Sequence, residues 1–69
     1  MDLNDVITIL QQVNKKLMVE AESKRQHVAS GVCKDLADYK HVCGQIFGLN
    51  EAHQTIKDII RKMEGTQDD

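Results

Sequence analysis

The chain has 69 residues, nine Lys and Arg against eleven Asp and Glu for a net charge of −2, no Pro, no Trp, one Tyr and one Phe. That length allows one small domain and excludes a multidomain enzyme, the charge balance excludes a strongly basic nucleic-acid tail, and two cysteines exclude a disulfide-dense secreted scaffold. A chain this small, with one Phe and no metal cluster or cofactor expected, struggles to bury enough apolar surface alone, so oligomerisation is the expected remedy.

The absence of Pro and the scarcity of turn clusters point to helix. Asp2 or Asn4 is placed to cap a first helix, and Asp5 suits its first turn. Leu3, Val6, Ile7, Leu10, Val13, Leu17 and Ala21 then recur at steps of three and four, one helical stripe that Val28 extends. From Glu22 to His27 the chain is polar on every side. The first helix is predicted over 3–29.

The break falls at Ala29-Ser30-Gly31, where Gly31 is free to take a positive φ and Ser30 is the candidate N-cap of the next helix. A second stripe runs Val32, Leu36, Tyr39, Val42, Ile46, Leu49, His53, Ile56, Ile60 and Met63. From Val42 its steps alternate four and three, which makes a heptad seam. His53 is its one polar member and the residue expected to fix oligomer register. Gly65 suits the position just past the helix end. The second helix is predicted over 32–64, with 65–69 a flexible acidic tail.

A tight turn between two long helices predicts an all-α, antiparallel two-helix hairpin over 1–64 that completes a four-helix bundle by self-association, most simply as a dimer. The competing reading is one long helix kinked at Gly31.

The longest apolar stretch, near Val6 to Leu10, is far short of the roughly 20 residues that span a membrane, and the start is acidic where a secretory signal is basic. A cytosolic protein with no membrane partner is expected. Cys33 and Cys43 on one helix would stand about 15 Å apart, beyond disulfide reach, so both are expected as free thiols.

Cys33, His41, Cys43 and His53 show neither CxxC nor HxxxH spacing, so no metal site is expected. A His and a Cys ten apart on one helix do not meet, so no nucleophile–base pair and no catalytic residue is expected. Lys15, Lys16, Lys24 and Arg25 give the first helix a basic side, but Glu20 and Glu22 interrupt it and no aromatics are interleaved. Nucleic acid is therefore a weak third option as partner.

The row Gly44-x-x-x-Gly48-x-x-x-Ala52 stands out. A Gly inside a helix gives up about 1 kcal/mol relative to Ala, and its physical use is close approach of another backbone. That backbone could belong to the first helix, a second copy or a foreign protein. Tyr39, Cys43 and Phe47 form a second apolar row at i+4 spacing. The predicted partner-binding set is Tyr39, Val42, Cys43, Gly44, Ile46, Phe47, Gly48, Leu49 and Ala52, since one neighbouring helix cannot cover more than one stripe.

The stretch Gly31-x-Cys33-x-Asp35-Leu36-Ala37-Asp38-Tyr39-Lys40, followed by Gly44-x-Ile46-x-Gly48-Leu49-x-x-Ala52, resembles a run in small helical-hairpin proteins of tailed bacteriophages. Those proteins carry Gly, a small residue, Asp-Tyr-Ala-Glu-Tyr and then Gly-x-Ile-x-Gly-Leu-x-x-Ala. Here Leu36 stands where a second aromatic would be, and Asp38 replaces the Glu. About 22 residues are matched in detail. The resemblance implies a non-enzymatic viral protein, structural or active in virion assembly, found in the host cytoplasm during infection and in some cases in the virion. It also leaves room for a small phage-encoded inhibitor of a host defence or regulatory protein. It implies no catalytic residue.

Overall fold

The structure is a computed structural model that describes residues 1–65; the expected tail beyond Gly65 lies outside the described residues. Two helices account for nearly all of it, α1 over Leu3–Ala29 and α2 over Leu36–Gly65.

The start of α1 is fixed by a reciprocal cap. Asp2 Oδ1 accepts the Asp5 N–H at 3.0 Å, and Asp5 Oδ2 accepts the Asp2 N–H at 3.2 Å. Two of the backbone donors that a helix start leaves unpaired are satisfied in this way. At the other end the Ser30 N–H donates to Gln26 O at 3.0 Å, the Gly31 N–H to Val28 O at 3.1 Å, and Ser30 Oγ to His27 O at 2.8 Å. Gly31 then turns the chain out of the helix at φ +77°, a conformation that costs a side chain about 1–2 kcal/mol. Ser30 thus closes the first helix instead of opening the second.

The second helix begins four residues later than the apolar spacing predicts, at Leu36. Val32 continues the stripe by a step of four, but the deciding signal is the pair Asp35 and Asp38. Asp35 Oδ1 accepts the Asp38 N–H at 2.8 Å, and Asp38 Oδ2 accepts the Lys34 N–H at 3.1 Å. The first helical bond then runs from the Tyr39 N–H to Asp35 O at 3.0 Å. A short carboxylate ahead of a helix competes for its own backbone and ends the preceding irregular segment there.

The helices pack along their length as a hairpin, and no strand occurs among the described residues. The chain reverses across 30–35, so the single kinked helix is not the structure. Ile7, Ala21, Val42 and Ile60 are buried in the seam, flanked by half-buried Leu10, Leu17, Ile46, Leu49, Ile56 and Met63. Position 14 departs from the predicted stripe. Asn14 is buried while Val13 is 44 % exposed. The other α1 contacts step 7, 10, 17, 21, which places position 14, not 13, on the inner row.

The molecule is a rod of 51 × 18 × 15 Å. It is one helix thick, so each helix has a single neighbour and most of its circumference meets solvent. No large side chain is fully buried, and eleven large apolar side chains are exposed among the described residues.

Candidate functional site

The hairpin presents three places where chemistry or recognition could reside: the middle of the seam, the two flanks, and the turn.

In the middle of the seam Asn14 and His53 face a common cleft of about 440 Å³, which Met18, Lys57 and Arg61 also line. Asn14 Oδ1 and His53 Nδ1 are buried without a hydrogen-bond partner. This polar layer interrupts an otherwise aliphatic seam, and a buried atom that lacks both a protein and a water partner costs about 1–3 kcal/mol. The sequence marks His53 as the polar seam member but passes over Asn14, because the apolar Val13 beside it satisfies the same periodicity.

The predicted partner-binding residues divide between the seam and two separate flanks. Val42 is buried by α1, and Ile46 and Leu49 are half-buried beside it, so these three belong largely to the hairpin's own packing. Tyr39, Phe47, Gly44, Gly48 and Ala52 are exposed. A Cβ built on Gly44 or Gly48 would meet nothing within 4 Å. The glycine row is therefore not a groove for the first helix; it opens to the outside. At 100° per residue, Tyr39, Cys43 and Phe47 lie on one flank of the seam and Gly44, Gly48 and Ala52 on the other.

Residues of α1 that share the glycine flank can be identified from a second cleft, lined by Lys24 and His27 of α1 and Gln45 of α2. Val13 is eleven residues from Lys24 and Ile9 eighteen from His27, both whole numbers of turns, while Ala52 and Ile59 follow Gln45 at heptad steps. These four therefore share one side of the rod. Ile9, Val13 and Ile59 are each 43–44 % exposed. Ile9, Val13, Ile59 and the small residues of α2 thus share one side with Lys24 and His27, and the single aromatic row lies on the other.

The basic side predicted on α1 does not form a continuous patch. Arg25 is engaged by Glu22 at 3.2 Å and crosses to Asn50 Oδ1 at 2.9 Å, and Lys24 is half-buried. Lys15 and Lys16 remain exposed beside Glu20.

At the turn, His27, Cys33 and Asp38 converge, with one ligand atom from each lying within 4.8 Å of the others. The apolar periodicity gives no sign of this cluster. His27 reads as one residue of a polar stretch, and the spacing to Cys33 and Asp38 acquires meaning only once the chain reverses. Burial raises the Cys33 thiol above its ordinary pKa, and the charges of Asp38, Cys43 and Asp35 add to this. Tyr39 is also raised, first by its hydrogen bond to Cys43, then by the Cys43 charge, desolvation and Cys33. Both cysteines are free. The field around Cys33 is therefore negative, and at neutral pH the thiol is held protonated.

No described helix is long and apolar enough to cross a membrane. Comparison of the chain with protein-family models, with curated proteins and with solved structures finds no match.

Proposed function

We propose that the chain is a non-enzymatic helix-packing protein whose hairpin pairs with a second copy through the glycine flank. The observation that carries this reading is the placement of Ile9, Val13, Ala52 and Ile59 on the side that also presents Gly44 and Gly48, all open to solvent. A rod one helix thick buries only a thin seam, and a second rod laid on this side would turn two half-covered seams into a four-helix core. Small residues let the second pair of helices approach closely. A second copy suits this side, whose apolar members are aliphatic and small, since a two-fold contact repeats the same patch on both subunits.

The setting is a tailed-phage particle or its assembly, in the host cytoplasm during infection; this rests on the resemblance of the Gly31–Ala52 run. A host defence or regulatory protein as partner is the alternative, and the aromatic row of Tyr39 and Phe47 on the opposite flank is the surface left for it.

Sedimentation equilibrium of the full chain tests the reading. The wild type is expected at twice its 7.8 kDa chain mass at about 100 µM. Gly48→Leu is expected to return it to the monomer while helicity by circular dichroism is retained, because the added side chain meets nothing within the hairpin. A monomeric wild type, or a Gly48→Leu protein that still dimerises, overturns the self-association face. The phage setting is tested separately by mass spectrometry of purified virions, where a fixed, symmetry-related copy number supports a structural role.

A further inference from the structure

We propose that His27, Cys33 and Asp38 form a binding site for a single divalent zinc-class cation at the turn of the hairpin. The three ligand atoms already lie within 4.8 Å of one another. In a tetrahedral zinc site, with bonds of about 2.0–2.3 Å, ligand atoms stand roughly 3.5 Å apart. Closing that difference needs side-chain rotation of about an ångström and no refolding. His27 is exposed in the last turn of α1 and free to rotate, and Cys33 stands in the connection.

Asp38 is the anchored member. Its Oδ2 accepts the Lys34 N–H at 3.1 Å, which fixes the carboxylate plane in the first turn of α2. No other described hydrogen bond involves its side chain, and neither described ion pair uses it. A ligand carboxylate oriented by a backbone donor is a recurring support for metal sites. One thiolate, one imidazole and one carboxylate form a donor set that matches zinc better than calcium or magnesium, which take oxygen alone. Three protein ligands leave the fourth tetrahedral position for water.

The sequence distances are short, six residues from His27 to Cys33 and five from Cys33 to Asp38, so little loop entropy opposes convergence. On binding, the Cys33 S–H bond breaks, sulfur keeps the electron pair as a ligand, and the proton leaves to buffer. Affinity therefore rises with pH. The site would tie the end of α1 to the start of α2, a staple of the kind that small scaffolds use when their core is thin.

The test titrates full-length reduced protein with Zn²⁺ by calorimetry and with Co²⁺ by absorption. One Zn²⁺ per chain, a thiolate-to-cobalt charge-transfer band and a rise in Tm of roughly 10 °C at a hundredfold excess over Kd are expected. Cys33→Ser is expected to abolish the band. His27→Gln, at an exposed position that leaves the cap intact, is expected to weaken Zn²⁺ at least about tenfold. No Zn²⁺ binding at about 100 µM, or Zn²⁺ affinity equal to wild type in both variants, overturns the site.

Discussion

The turn and the middle of the seam resolve their polar groups in opposite ways. Around the turn, Ser30 bonds to His27 O, Asp35 to the Asp38 N–H and Asp38 to the Lys34 N–H, so short side chains take up backbone groups that the two helix ends leave over. Halfway down the rod, Asn14 Oδ1 and His53 Nδ1 are buried with no hydrogen-bond partner among the described protein atoms. The first region is specified locally, by residues within four positions of one another. The second is specified only by the pairing of two distant helices, and it gives up stability there. A polar layer in an apolar seam commonly serves register and oligomer choice in place of strength.

The largest difference between the two regions is expected from Ile60→Ala. With so few buried aliphatics, emptying this position is expected to cost about 3 kcal/mol in urea denaturation at fixed protein concentration. A loss below about 1 kcal/mol would mean that the seam is not the source of stability, and the contrast with the turn would fail. The polar layer comes next. Asn14→Leu combined with His53→Leu is expected to raise stability by about 1–2 kcal/mol, because both unpaired atoms vanish together. It is also expected to blur the oligomeric state seen by sedimentation. Destabilisation by the double change would show that the layer is satisfied in solution. The smallest effect belongs to the turn. Asp35→Ala is expected to cost about 1 kcal/mol and to fray the first turn of α2, read as faster amide exchange at Asp38 and Tyr39. Unchanged exchange there would deny Asp35 its capping role.

Much of the architecture can be read from apolar spacing, because burial against one neighbouring helix imposes a period that few other forces impose. The second stripe from Val42 to Met63 is legible for that reason, and so is the reversal at Gly31. The late start of α2 is legible too, but from a different signal, the Asp35–Asp38 pair, which the apolar step from Val32 to Leu36 obscures. Asn14 is not legible. Val13 offers the same step count and a better transfer energy, and only the register of the whole α1 row decides between them. The glycine row is visible as a pattern, yet its outward orientation is not, since a groove for the first helix and a groove for another molecule have the same spacing. His27 is the furthest from sequence reading. Its place beside Cys33 and Asp38 depends on the chain path through 30–35, where no periodicity operates.

A hairpin of this length is also a directed object. Met1 and Gly65 lie at one end of a 51 Å rod, and Gly31 at the other. A label or tether at Met1 or Gly65 therefore leaves the turn untouched. Two such rods laid side by side have only two broad arrangements. Head to head, both turns sit together; head to tail, they stand a full rod apart. The distance between the two Cys33 thiols would then report the symmetry of the assembly without any map of the contact itself.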